Sequence, residues 1–347
     1  MIEINDTREM KDFKSISFSG YKRSDVKKEL ISSLQMNKME PACYWSSELI
    51  CAGHYSDLWN IILFHYSKNI HLGNPKFIIY LEKRIENFKH IVNGGYVDNE
   101  IRMRNNENIR KLFGEIIVIL CLSTQKHAFQ QIKLEKESTF DLSSISEKFK
   151  APHTKYADPI FLRDDPKEIF IALNELSYHL SNESMNSIES CYWIEWIIEY
   201  QSICQKKKKK CLCDRRDYVG NDKFQKDLIW IIWDIFFYYV KDNQQKNKLI
   251  NGLLNLFTLK YTSTCNKSRR YILYTAVSIL VDNVNFNINL VNDKVKVSNI
   301  LEKLDNIYKQ VKKNEIAPKT DYLFINNSSK SNLDKTIEKL NMMDKFL

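Results

Sequence analysis

The tripeptide Cys-Tyr-Trp occurs twice in this chain, within two stretches of similar character, and that recurrence constrains the fold more than any other feature. The first stretch is Ala42-Cys43-Tyr44-Trp45-Ser46-Ser47-Glu48-Leu49-Ile50; the second is Ser190-Cys191-Tyr192-Trp193-Ile194-Glu195-Trp196-Ile197-Ile198. Matching blocks flank both copies in the same order. Asp25-Val26-Lys27-Lys28-Glu29-Leu30 answers Asp165-Pro166-Lys167-Glu168-Ile169-Phe170 upstream, and Asp57-Leu58-Trp59-Asn60-Ile61-Ile62 answers Asp227-Leu228-Ile229-Trp230-Ile231-Ile232 downstream. Further on, Arg110-Lys111-Leu112-Phe113 answers Arg270-Tyr271-Ile272-Leu273. Ordered self-similarity of this kind reads as an internal duplication.

Each block is patterned for helix. Val26, Leu30, Ile31 and Leu34 recur at helical spacing, as do Leu58, Ile61, Ile62, Phe64 and Tyr66. Only 8 Gly and 6 Pro stand among 347 residues, too few for a turn-rich β architecture. The expected fold is all-α, with two duplicated multi-helix halves in an irregular helical bundle. The first half predicts helices near 24–35, 39–52, 56–72, 76–92 and 107–124. The second repeats them near 165–181, 187–204, 223–241, 245–260 and 267–283. Gly53 is expected to close the second helix, and Ile116 to Leu120, apolar all round, marks the fifth as central.

The chain divides into an N-terminal arm (1–21), helical repeat 1 (22–130), a polar linker (131–160), helical repeat 2 (161–285) and a C-terminal extension (286–347). The arm alternates weakly and is expected to be extended and partly disordered. Within the linker, 143–149 reads as a short helix. Residues 284–297 read either as a short hairpin turning at Asn292-Asp293 or as a helix end running into a loop. A helix at 298–313 follows, then a flexible tail and a last short helix at 333–346.

The formal net charge is +9, and its placement matters more than its size. Cys191 and Asp227 are 36 residues apart, whereas Cys43 and Asp57 are 14 apart; most of the 22 extra residues are a basic insertion, 204–222. It holds Lys206, Lys207, Lys208, Lys209, Lys210, Arg215 and Arg216. Such a run repels itself and needs solvent or a counter-charge. DNA or RNA backbone phosphate would supply one without regard to sequence, and so would an acidic protein. Tyr218 and Phe224 are the only aromatics close by, so base reading is not expected. The run also reads as a nuclear targeting signal.

No catalytic signature appears. A Gly-rich phosphate loop, a Ser nucleophile elbow and a His/Asp cluster are all missing from the sequence. Glu48 and Glu195 occupy equivalent places and invite a paired-carboxylate reading, but neither has a suitable His or Cys base nearby, so capping or ion pairing is expected instead. His54, His65 and His71 lack the i, i+4 spacing of a helical metal site. Cys204, Cys211 and Cys213 miss the usual zinc spacing and are expected to be free thiols made mildly reactive by the lysines. No enzyme activity, cofactor or metal is assigned. The six Trp all fall in repeat helices, where they are expected to build core.

Eight cysteines and a polar beginning, with no secretory leader, point to a reducing intracellular compartment. The longest apolar run, Leu228 to Val240, is broken by Asp234 and too short to span a bilayer, so no membrane association is expected.

The first half resembles the C-terminal helical, clamp-loader-collar-like region of the replication-associated recombination ATPases. The matching motifs are Ala42-Cys43-Tyr44-Trp45, Ala52-Gly53, Asn74-Pro75 and Leu120-Cys121-Leu122 leading to Lys126. The ATPase module of that family is absent, since no G-x-x-x-x-G-K-[ST] loop occurs. The resemblance implies a helical collar that oligomerises near DNA, without ATP hydrolysis. The whole chain also resembles uncharacterised helical proteins of large nucleocytoplasmic DNA viruses. The expected role is therefore a non-enzymatic assembly or scaffold protein, with protein partners or self-association, in host cytoplasm or nucleus. The alternative is a minor capsid or virion-associated structural protein.

Overall fold

The computed structural model describes residues 2–97, 99–134, 140, 145–209 and 211–317, and within these the fold is all-α. The first half contributes α1 (Arg23–Gln35), α2 (Met39–Cys51), α3 (Tyr55–His65), α4 (Phe77–Asn93) and α5 (Glu107–Leu122). The second contributes α6 (Phe170–Leu180), α7 (Ser187–Lys206), α8 (Ile229–Val240), α9 (Gln244–Phe257) and α10 (Arg270–Val281). A further helix, α11 (Lys294–Lys312), follows as the last among the described residues.

Local chemistry sets the helix ends. The Asn106 side chain accepts the backbone N–H groups of Asn108 and Ile109 to start α5, and Asn186 and Asn243 do the same for α7 and α9. Gly53, at φ +77°, ends α2: its N–H reaches Ile50 O, and the His54 N–H reaches Leu49 O. After α3 the chain tightens into a π-turn over Tyr66–Ile70 and a 3₁₀ turn over His71–Gly73, where the longer regular helix expected from sequence gives way. The 124–129 segment runs alongside, with Lys126 N–H donating to Asn69 O and Phe129 N–H to Lys68 O.

The helix pairings of the first half recur in the second, which adds contacts of α8 with α9 and α10 that have no counterpart of similar extent among α3, α4 and α5. α1 lies on α2, α3 and α5, and α2 on α3 and α5, while α4 meets α5. Correspondingly, α6 lies on α7, α8 and α10, and α7 on α8 and α10, while α9 meets α10. The halves join through α4 against α9 and through α10 against the π-turn, where Thr275 Oγ1 donates to Ser67 O at 3.1 Å. One hydrophobic core runs through both. Trp193, Trp230 and Trp233 are fully buried in it, as are Ile116 to Val118 of α5.

Two segments depart from expectation, and in a third the helix end running into a loop prevails over the hairpin. The N-terminal arm is docked: Ile4, Phe13 and Phe18 are buried with Tyr308 and Val311 of α11, and Ile4 exchanges hydrogen bonds with the Asn105 side chain. Residues 150–156 of the linker form a strap across α6, since Lys150 and Ala151 donate backbone N–H groups to Glu175, and Tyr156 donates its own to Asn174. Residues 284–293 form no hairpin; Asp293 accepts the Lys296 N–H and so draws Val295 and Val297 into the first turn of α11. In the linker Ser146–Lys148 is a single 3₁₀ turn. The expected tail and the helix at 333–346 lie outside the described residues.

Candidate nucleic-acid interface

The lysine run begins as the end of a helix. α7 stops at Lys206, and Lys208 takes φ +52°, a left-handed conformation normally filled by glycine. The Lys208 N–H then reaches Gln205 O at 3.1 Å, and the Lys209 N–H reaches Cys204 O at 2.8 Å. Those bonds satisfy carbonyls that a helix end leaves orphaned. Four cations at a helix C-terminus also oppose its partial negative charge, which offsets part of their mutual repulsion.

The side chains of Lys206, Lys207 and Lys208 are exposed and form no ion pair among the described residues. Lys209 Nζ stands 3.7 Å from Glu168 Oε1, with both groups more than half exposed, so the pair is weak. Lys210 lies outside the described residues.

The two arginines behave differently. Arg216 is buried and grips both oxygens of Asp165, while its Nε donates to Asp234 Oδ2 at 2.8 Å. Burial works against its charge, but the hydrogen bonds to Asp165 and Asp234 outweigh that and raise its basicity. Arg216 is therefore spent inside the protein, which corrects the expectation that it faces a polyanion. Arg215 lies at the surface against Asp217, at 2.8 Å, and Asp222, at 3.5 Å. Its charge is locally balanced.

The remainder of the insertion is fastened to the body. Cys213 N–H donates to Lys226 O and Arg216 N–H to Gln225 O, both at 3.0 Å. Tyr218 Oη donates to Asp234 Oδ1 at 2.6 Å, and Phe224 packs edge-on against Tyr261. Neither aromatic is free to stack on a base. The thiols also depart from expectation: burial pushes Cys211 and Cys213 up to about 12, so both are protonated and inert at neutral pH. Cys213 Sγ turns to Asp227 O at 3.2 Å. Among the described residues no group of three or more His, Cys, Asp or Glu side chains is placed to hold a metal ion.

The other sequence candidates are structural. Glu48 accepts from Ser17 Oγ at 2.7 Å and from Ser19 N–H at 2.9 Å. Glu195 accepts from Tyr274 Oη at 2.8 Å and pairs with Arg270 at 3.2 Å; burial raises its pKa, the cation and hydroxyl notwithstanding. The two carboxylates serve separate partners. His54 Nε2 bonds Ile16 O, and His71 Nε2 bonds His127 O. One signal was available in sequence for the Arg216 site: Asp234, a lone acid in an apolar helix, requires a cationic partner.

No family model matches this chain, and no match is found among curated proteins or solved structures. Among the described residues no helix is long and apolar enough to cross a membrane.

Proposed function

We propose that this chain is a non-enzymatic helical scaffold that holds nucleic acid by its phosphate backbone through the turn at Lys206 to Lys209. One observation carries the reading. The insertion binds its two arginines to the protein's own acids, yet leaves Lys206, Lys207 and Lys208 exposed and unpaired among the described residues. A fastened loop presenting uncompensated lysines contributes charge without base-edge readers, which suits binding indifferent to sequence. We also infer that the two halves descend from one duplicated unit, supported by the repeated helix pairings, and that the second copy acquired the loop.

Fluorescence anisotropy tests this with labelled DNA of two unrelated sequences and with polyglutamate as competitor. Replacing Lys206 to Lys209 by Ser is expected to weaken both DNAs at least about tenfold and to the same degree. Unchanged DNA affinity, or affinity for polyglutamate exceeding that for DNA, contradicts the reading.

A further inference from the structure

A cavity of about 750 Å³ lies between the two halves, far larger than any packing defect and within the roughly 300–1,000 Å³ range of small-molecule sites. Its first wall comes from α3, α4 and the turn at Glu100; its second comes from the end of α9 and the segment leading to Arg269. The floor is apolar. Trp59 and Phe88 meet edge to face at 5.7 Å there, with Leu63, Ile85 and Leu256 beside them.

The ionised groups are sorted by wall. Glu82, Glu86 and Glu100 stand on the first wall, with Lys89. Lys260 and Arg269 stand on the second, which has no acid. Glu82 is engaged across the gap by the Asn255 amide. Arg269 is the unusual member. It is half-buried; one guanidinium nitrogen donates to Phe257 O at 2.6 Å, its buried Nε has no partner, and it forms no ion pair among the described residues. The Nε is enclosed and out of a ligand's reach, but the residue lines the cavity and its charge has no carboxylate partner among the described residues, which leaves the guanidinium available to an anionic group in the cavity. Lys260 reaches the same wall from a backbone at φ +43°.

We propose that this cavity binds a small organic zwitterion with an apolar body, of free amino-acid or dipeptide chemistry. Its carboxylate meets Arg269 and Lys260, its ammonium meets Glu86 and Glu100, and its side chains rest on Trp59 and Phe88. A plain organic anion would leave the acidic wall opposing it, whereas a zwitterion matches both walls.

Isothermal titration with three probes tests this: phenylalanyl-leucine, its N-acetyl derivative and its C-terminal amide. The free dipeptide is expected to bind saturably at one site and at least about fivefold tighter than either blocked form. Arg269→Gln is expected to abolish the preference over the amide, and Glu86→Gln with Glu100→Gln the preference over the N-acetyl form. Ser268→Trp, at an exposed position on the rim, should block binding while the circular dichroism of the fold stays intact. No saturable binding of the free dipeptide at millimolar concentration, equal affinity of either blocked form, or preferences unchanged by the substitutions would overturn the proposal.

Discussion

Arg216 joins three separated stretches of chain through two carboxylates, and its removal strands a buried charge. Asp165 is fully enclosed beside it. Arg216→Met is expected to cost about 3–5 kcal/mol in urea unfolding, whereas Arg215→Met should stay within about 0.5 kcal/mol because its partners are exposed. Equal costs would show that the buried pair is not what anchors the insertion. His65 gives a second test. Burial lowers its pKa from 6.5 to about 4, so the unfolded chain binds the extra proton. Its contribution is complete above about pH 6.5 and is lost as pH falls through about 4; fully realised, the shift corresponds to roughly 3 kcal/mol. The raised carboxyls of Glu175 and Glu195 act in the opposite direction, so the variant comparison isolates His65. His65→Gln should flatten the fall of the urea midpoint between about pH 7 and 4.5, and an unchanged slope would contradict that assignment. Sequence alone marked Lys206 to Lys209 as cationic but did not separate them from Arg216: the Asp165 pairing spans 51 residues and leaves no local pattern, and the lone acid Asp234 calls for a cation without naming which one.

Helices were legible wherever apolar period and termini agreed. α2 begins at Met39, where the sequence placed it, and Gly53 closes it in the left-handed conformation that a helix C-terminus favours. The irregular turn after α3 was not legible, because tertiary contact produces it. A Cβ on Gly73 would strike the backbone carbonyl of Thr124, which cannot swing aside as a side chain can. Gly73→Ala is therefore expected to cost about 2 kcal/mol or more in thermal or urea unfolding, while Gly220→Ala, with open space around it, should stay within about 0.5 kcal/mol. Comparable stability of the two variants would show that the turn yields freely. The hairpin alternative at 284–297 failed for a similar reason: alternation of Val and Asn resembles a strand, but Asp293 caps a helix whose apolar face finds α2 and α5.

At the scale of the whole molecule, the halves share a core and meet through α4 and α9, with the arm and α11 sealing one end together. Composition announced the all-α class, yet the fully buried apolar residues of the arm, Ile4, Phe13 and Phe18, are spread too widely to signal its docking, to which hydrogen bonds to Asn105 and Glu48 also contribute. The zwitterion cavity was invisible in sequence, since its walls are assembled from residues 55 to 269. The central claim concerns the lysine turn, and the salt dependence of DNA affinity tests it most directly. Plotted as log affinity against log salt, the intact protein should give a slope of roughly −2 to −4 on any sequence, and the Lys206 to Lys209 serine variant a slope near zero. A slope that survives those replacements, or DNA affinity indifferent to salt, would contradict the account.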